Sequence, residues 1–206
     1  MAWRFHNFQP PGTFDNGIQI GSSLDEFIAS SQDYQSHLIQ YATEIYRRAR
    51  ACPQNEAREV KVTGLIHFDF TDPWPAITWS VLDYWRTPKP SYDALRRCMQ
   101  PVLPSFLLPA KIEAGKAALA SFRAVNDLLE AFPKAVCEWR LNDGEDDLAS
   151  ATFPVDIPAN GISDETHLTL LSLSPGRYTL FVTLSVGSRT LGENWYDIRV
   201  DRPPAI

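Results

Sequence analysis

Hydrophobic residues recur every three or four positions over residues 23–50, and this spacing predicts an amphipathic helix. Ser23 stands at its start and Glu26 follows three residues later, the pattern of a capping box that satisfies the first free amides of a helix. The last turn holds Arg47, Arg48 and Arg50. Because positive charge suits the C-terminal end of the helix dipole, we expect the helix to end there, before Pro53.

A strand is predicted over residues 59–70, where hydrophobic and polar positions alternate. One face carries Ile66, Phe68 and Phe70, and the other carries Leu65, His67 and Asp69. This pattern is typical of a parallel strand with helices outside and a polar face inside. A loop over residues 71–79 follows, and then a helix with Ser91 as its cap. Residues 1–105 are therefore predicted as part of an α/β fold, which a loop over residues 1–22 precedes.

The pattern changes after residues 101–110, whose prolines mark a domain boundary. Seven short β-like runs separated by turn residues then predict an all-β sandwich over residues 106–206. The runs are residues 111–114, 119–125, 135–141, 151–157, 167–173, 177–186 and 194–200. In the third run, Ala135, Cys137, Trp139 and Leu141 alternate with the other positions and are expected to face the core.

Charge and composition narrow the range of partners. The net charge is −6, and neither half of the chain has a basic stripe, which argues against nucleic acid. No apolar run reaches the roughly 18–20 residues that a membrane helix needs, and the N-terminus lacks the pattern of a signal peptide. Cys52, Cys98 and Cys137 are odd in number and widely spaced, so we expect reduced thiols. Reduced thiols favour the cytoplasm, although the sequence leaves the compartment unknown.

No cofactor or metal ion is predicted. There is no CxxC pair of the kind that holds structural zinc. A metal site made of His67, Asp69 and Asp72 is possible in composition alone. Residues 142–147, NDGEDD, offer oxygen ligands to calcium but lack the spacing of a twelve-residue calcium loop. A solvated hairpin tip is the favoured interpretation of that segment.

Aromatic residues and carboxylates are concentrated in residues 67–95, a combination that suits sugar recognition. Asp72 is expected either to bind sugar hydroxyls or to cap the turn before Pro73. Trp74 is expected either to stack on a sugar ring or to pack as a lid on the rest of the fold. Trp79 and Trp85 are expected in the core.

His67 and Asp69 share the polar face of the predicted strand. They either tune a neighbouring carboxylate as a hydrogen-bonded pair or fill the interior of the fold as satisfied polar groups. Trp195 and Tyr196, near the last strand, either present an aromatic sugar-binding face or pack the sandwich.

Residues 64–106, GLIHFDFTDPWPAITWSVLDYWRTPKPSYDALRRCMQPVLPSF, resemble the end of the catalytic barrel in glycoside hydrolase family 2. The branch with β-mannosidases and exo-β-glucosaminidases is the most similar. The matching positions are Gly64, Asp72, Trp74, Pro75, Trp79, Ser80, Asp83, Tyr84, Pro88 and Lys89. Residues 31–48 resemble the seventh helix of that barrel, and the second half, which ends LGENWYDIRV, resembles the immunoglobulin-like domain after it.

The sequence departs from the family at the eighth strand, where Phe68, Asp69 and Thr71 replace Trp, Gln and Asn. In the family that Trp lines the sugar subsite. Phe68 retains a face for stacking but lacks the indole N–H and some of its area. The departures therefore bear on the choice of sugar.

The resemblance implies a fold and a site. Residues 1–105 would be the last segment of a (β/α)8 barrel, and residues 106–206 an immunoglobulin-like sandwich. A barrel typically needs roughly 250 residues, so the first half is expected to complete one with an N-terminal region outside this chain. A β-linked glycoside would then be bound at the rim by His67, Phe68, Asp69, Asp72 and Trp74.

The resemblance also implies that the catalytic residues lie outside the chain. Retaining glycosidases use two carboxyl groups about 5–5.5 Å apart. In the family these are glutamates at the ends of the fourth and seventh strands, and Glu26, Glu44, Glu56 and Glu59 do not occupy such a position. The chain is therefore expected to be inactive alone, unless a divergent branch uses Asp69 or Asp72. The alternative function is a non-catalytic carbohydrate-binding or structural module, with exposed aromatics such as Trp195 as the contact.

Overall fold

The computed structural model describes residues 18, 20–57, 61–109 and 111–201, with only the backbone for Gln54 and Asp201. The chain divides into two compact units. The first unit contains the described residues up to Tyr46 together with Gly64–Met99, and the second contains Arg47–Thr63 together with the residues from Gln100 onward. The domain boundary at residues 105/106 stays a prediction, and the loop predicted for residues 1–22 lies largely outside the described residues.

Helix α1, Leu24–Arg48, confirms the long amphipathic helix. The hydroxyl of Ser23 accepts the Glu26 N–H at 3.2 Å, as expected for the cap. The carboxylate of Glu26 reaches one residue further than a capping box requires and accepts the N–H of Ser22 at 2.6 Å. These hydrogen bonds, first from the Ser22 backbone and then from its side chain, lower the pKa of Glu26.

Helix α2, Pro90–Cys98, is the second helix of the first unit. The prediction that Ser91 caps it is wrong, because Lys89 precedes the first helical residue and Pro90 opens the helix. Proline suits this position, since its missing N–H would have no partner there and its φ is already helical. Ser91 is buried inside the helix, and its hydroxyl donates to Oε1 of Gln35 at 3.0 Å.

The strand predicted over residues 59–70 is also wrong for its described part, because residues 61–70 form no regular strand. Isolated bridges join Arg50 to Val62 and Thr71 to Leu82. No described strand pairs with residues 63–70, which lie between these two bridges. A strand exists only through hydrogen bonds to a neighbour. Ile66 and Phe68, predicted on its outer face, are 93% and 68% exposed.

The second unit is a sandwich of two sheets, which confirms the predicted β class. Its strands are β1 (Val102–Leu107), β2 (Ile112–Glu113), β3 (Ala118–Asn126), β4 (Phe132–Asn142), β5 (Asp147–Ile157), β6 (Gly161–Ile162), β7 (Thr166–Leu170), β8 (Gly176–Val186) and β9 (Arg189–Asp201). One sheet has the order β1-β3-β6, with β7 also on β3, and the other has the order β2-β9-β8-β4-β5. The β2–β9 pair is parallel, and the other pairs are antiparallel.

All seven predicted runs occur as strands, and their inward faces form one core. Ala135, Cys137, Trp139 and Leu141 are buried, as the alternation predicted. Burial, and then the charge of Glu138, raise the pKa of the Cys137 thiol, so this thiol is held protonated. Strands β1 and β6 were not predicted.

The described residues of the segment 47–63 lie against the outer face of the smaller sheet within the second unit. Arg48 donates to the carbonyl oxygen of Ser105 at 2.7 Å and pairs with Glu165 at 2.9 Å. Arg47 pairs with Asp127 at 2.6 Å. Cys52 packs against a small second core of Leu103, Val125 and Ile162. The arginines predicted only to suit a helix dipole therefore join this segment to the sandwich.

Two general findings concern membranes and thiols. Among the described residues, none of the helices is both long and apolar enough to span a bilayer. Cys52, Cys98 and Cys137 form no disulfide bond within the described residues.

Candidate functional site

The predicted site residues lie on an ordered connection between residues 67 and 89 of the first unit. Its backbone doubles back on itself: the N–H of Asp72 donates to Leu82 O at 3.1 Å, and the N–H of Leu82 donates to Phe70 O at 3.0 Å. The N–H of Lys89 donates to Val81 O at 3.0 Å and closes the base. Residues 71–89 are named the rim loop below.

The carboxylate of Asp72 lies inside the rim loop, with 2% of the residue exposed. The hydroxyl of Thr78 donates to its Oδ1, and Nζ of Lys89 lies 3.5 Å from its Oδ2. The same Nζ donates to Oγ of Ser80 at 3.0 Å. Both oxygens of Asp72 therefore have partners within the chain. Thr78 was not among the predicted site residues, because its contact depends on the fold of the loop.

Helix α1 supports the rim loop through Gln35, which the sequence did not single out. Its Nε2 donates to Trp79 O at 2.8 Å and to Ser80 O at 3.1 Å, and its Oε1 accepts the hydroxyl of Ser91. One amide side chain thus joins the rim loop to α2. A single glutamine on a long amphipathic helix carries no sequence signal for this role.

The aromatic side chains of the rim loop point outward. The prediction that Trp79 and Trp85 belong to the core is wrong, because they are 49% and 71% exposed. Trp79 lies beside Phe68, with ring centroids 6.1 Å apart and an angle of 35° between the rings. Trp74 is also exposed. The structure therefore brings together an exposed aromatic surface that adds Trp79 to the predicted Phe68.

His67 and Asp69 are not brought together as a pair by any described hydrogen bond. Both are half-buried, and Nε2 of His67 is a buried atom that has no hydrogen-bond partner in the described structure. The described residues contain no group of three or more His, Cys, Asp or Glu placed to hold a metal ion. A ligand set of His67, Asp69 and Asp72 is therefore not assembled here.

Two candidates in the sandwich, Tyr196 and the segment 142–147, have structural roles. The hydroxyl of Tyr196 accepts the N–H of Phe106 at 2.9 Å, and its ring packs edge-on against Phe106. Residues 142–147 form the expected hairpin tip, where Oδ1 of Asp143 accepts the N–H of Glu145 and of Asp146. These hydrogen bonds, with Asp146 the stronger contributor, lower the pKa of Asp143.

Comparison with known proteins finds relatives that are similar to part of the sequence. No family model matches the chain. The β-mannosidase B of Aspergillus niger is 27% identical over 85 residues, and that of Neosartorya fischeri is 26% identical over 90 residues. Each match covers 41% of this chain, and 9% and 10% of the respective relative. The chain thus spans about a tenth of the length of the curated relatives that it matches.

Two solved structures share the fold over most of the chain. The β-D-mannosidase from Dictyoglomus thermophilum has a TM-score of 0.64 at 21% identity, over 91% of this chain and 21% of that one. The exo-chitosanase CsxA from Amycolatopsis orientalis has a TM-score of 0.62 at 17% identity, over 87% of this chain and 20% of that one.

The relatives found by sequence are β-mannosidases that match part of the chain, and the two solved structures, a β-mannosidase and an exo-chitosanase, share its fold. The resemblance to glycoside hydrolase family 2 that residues 64–106 indicated is confirmed.

Proposed function

We propose that this chain is the C-terminal portion of a retaining β-glycoside hydrolase. In this proposal residues 1–105 complete a (β/α)8 barrel, and residues 106–206 form an immunoglobulin-like domain that accompanies it. The rim loop and the residues before it line the site of a terminal β-linked sugar. The names of the relatives favour β-mannosides, or β-glucosaminides of the kind found in chitosan, as the substrate class.

The observation that carries this proposal is the exposed aromatic pair of Phe68 and Trp79 on a loop with a fixed backbone. Aromatic faces suit the C–H surface of a pyranose ring. A loop whose backbone is already fixed loses little conformational entropy when the sugar binds. In the proposed site Phe68, Trp74 and Trp79 supply stacking area, while His67 and Asp69 supply polar groups. Asp72 shapes the loop from within.

The catalytic carboxyl pair belongs, in this proposal, to the part of the barrel outside this chain. Glu26 is engaged in the cap of α1, and Glu44 is buried and accepts Nε2 of Gln40 at 3.1 Å. Asp72 is held by Lys89. None of these groups is available both to face a sugar and to act with a second carboxylate about 5–5.5 Å away.

The first experiment is an assay of the purified chain with aryl β-mannosides and aryl β-glucosaminides. We expect no turnover above buffer, because the carboxyl pair is supplied from elsewhere. Turnover that Asp69→Asn abolishes would overturn the proposal. In parallel, the DNA upstream of Met1 is sequenced. An open frame for a barrel of roughly 250 residues with two strand-end glutamates supports the proposal, whereas an adjacent in-frame stop opposes it.

A second candidate function is a non-catalytic carbohydrate-binding module in the sandwich. The observation that favours it is on the larger sheet, where Trp195 stands across from Phe181 and the Arg140 guanidinium lies 4.7 Å from the Phe181 ring centroid. Titration with mannose and chitosan oligosaccharides, followed by tryptophan fluorescence, separates the two candidates. Loss of the response in Phe68→Ala supports the rim loop, and loss in Trp195→Ala supports the sandwich.

A further inference from the structure

The ion pair of Asp72 and Lys89 is built into the rim loop and is not open to a ligand. Lys89 has 13% of its side chain exposed, and Asp72 has 2%. Nζ of Lys89 contacts three oxygens: Oδ2 of Asp72 at 3.5 Å, Oγ of Ser80 at 3.0 Å and the Thr78 carbonyl at 3.4 Å. An ammonium group has three protons to donate, so these contacts use all of them.

The same network fixes the backbone of Trp79 and leaves its indole exposed. Thr78, the residue before Trp79, donates to Asp72, and Ser80, the residue after it, accepts from Lys89. Gln35 holds the carbonyl of Trp79 itself. Polar contacts therefore constrain the chain on both sides of this tryptophan, while the ring lies in solvent beside Phe68.

We propose that Lys89, Thr78 and Gln35 are positioning residues for a sugar-stacking surface formed by Phe68 and Trp79. In this arrangement Asp72 is the buried counter-charge of the network and not a ligand of sugar hydroxyls. The inference rests on the proposed function for its ligand, a pyranose ring, but the network itself stands on the geometry. Removing one member of a buried charge pair leaves the other uncompensated, so loss of Lys89 would loosen the loop.

The test uses substitutions in the full chain that separate charge, hydroxyl group and shape. Thr78→Val removes the hydroxyl at nearly constant volume, and Thr78→Ser retains it. Lys89→Met leaves Asp72 unpaired, and the double variant of Lys89→Met with Asp72→Asn restores neutrality. Arg96→Met is the matched control, because Arg96 is an exposed cation of α2 whose described ion pair is a local one with Asp93.

The readouts are near-ultraviolet circular dichroism and acrylamide quenching of tryptophan emission. The variant Trp79→Phe identifies how much Trp79 contributes to each of these signals. We expect Thr78→Val and Lys89→Met to reduce the dichroism of Trp79 and to increase its quenching. Thr78→Ser and the double variant should recover much of the native signal, and Arg96→Met should match the native chain. Far-ultraviolet dichroism checks that each variant is folded.

Two results would overturn the inference: Thr78→Val and Lys89→Met leave the Trp79 signals unchanged, or Thr78→Ser fails to recover them. A mannose or glucosamine titration on the same variants tests the ligand separately. If the native chain binds neither sugar while the Trp79 signals respond as expected, the sugar-binding role proposed for the rim loop fails and the positioning network stands. If Asp72→Asn alone abolishes sugar binding while the Trp79 signals stay native, Asp72 is a ligand and the inference fails.

Discussion

The two units bury their hydrophobic residues to very different extents. Of the 28 buried hydrophobic residues among those described, the first unit contributes four: Val81, Ala94, Leu95 and Cys98. Of the 20 large hydrophobic residues described as exposed, 15 lie in the first unit and five in the sandwich. The sandwich therefore has its own core, whereas the first unit presents an apolar surface of the kind that contacts another protein surface or a ligand.

Similar sequence patterns lead to different structures when the strands available beside them differ. In the sandwich, alternation along β4 is matched by β5 and β8 on either side, so its inward face is buried. Residues 64–70 alternate as clearly, yet no described strand lies beside them. The proposed barrel would supply such neighbours.

The largest expected effect comes from the core of the sandwich. Phe122 is completely buried between the sheets and packs against Phe106 and Phe153. We expect Phe122→Ala to lower the free energy of unfolding by about 3–5 kcal/mol, since it removes apolar contacts and leaves a cavity. Phe68→Ala, the same change in the first unit, should alter it by no more than about 0.5 kcal/mol. Urea unfolding of the two variants measures both values, and equal losses would contradict the comparison.

The next effect concerns residues 47–63, which belong to the sandwich by their contacts. Arg48 is 4% exposed, and we expect Arg48→Met to cost about 3 kcal/mol because Glu165 and the Ser105 carbonyl lose a charged donor. Arg189→Met is the control, since Arg189 and Glu130 form an exposed pair worth about 0–1 kcal/mol. Urea unfolding followed by far-ultraviolet circular dichroism, which reports the strands of the sandwich, provides the measurement. If the two arginine variants lose the same stability, residues 47–63 are not part of the sandwich.

A smaller, pH-dependent effect follows from Glu165. Burial alone would raise the pKa of this carboxyl, but the hydrogen bond from Ser121 and the charges of Arg123, Arg48 and His167 together hold it below its usual 4.5. A lowered folded pKa stabilises the protein above the unfolded value, and this contribution is lost as the pH falls through the folded value. Glu165→Gln should therefore be less stable than the native chain at pH 7, with the gap narrowing below pH 4.5.

Thermal unfolding between pH 7 and pH 3 measures this gap, and the exposed Glu138→Gln serves as the control. We expect the control to keep a nearly constant difference from the native chain over the whole range. If the difference in stability between Glu165→Gln and the native chain stays constant down to pH 3, the ion pairs with Arg48 and Arg123 contribute nothing measurable to stability.

The sequence predicted those features that local alternation determines. The four core positions of β4 could be predicted because period-two burial is visible within seven residues. Strand β1 could not, since Val102, Leu103 and the next three residues are all buried and show no alternation. Its two faces are covered by the sandwich core and by Cys52 of the preceding segment.

The sequence indicated the segment of the candidate site but not the contacts inside that segment, and the site residues stay a prediction. Asp72 and Lys89 are 17 positions apart, and their pairing depends on the way the rim loop doubles back. Trp79 and Trp85 were assigned to a core because large aromatic residues are usually buried. They are exposed because the described part of the first unit has too few elements to enclose them.

The smallest change in stability, and the sharpest test of the apolar surface, comes from Ile66. This residue is 93% exposed and stands near Phe68 and Phe70 in a run of exposed apolar side chains. We expect Ile66→Ser to leave the free energy of unfolding within about 0.5 kcal/mol of the native value. It should nevertheless reduce both the fluorescence of the hydrophobic dye ANS and self-association in sedimentation, because it interrupts a continuous apolar surface.

Leu129→Ser is the matched control for this prediction. Leu129 is 88% exposed, almost as much as Ile66, but it lies in the connection between β3 and β4 of the sandwich. A single exposed leucine is normal in a folded domain, so its loss should change neither dye binding nor association. If the two serine variants reduce the dye signal equally, exposure alone determines the signal. If only Ile66→Ser does so, the apolar surface of the first unit is continuous, as an unfilled contact surface requires.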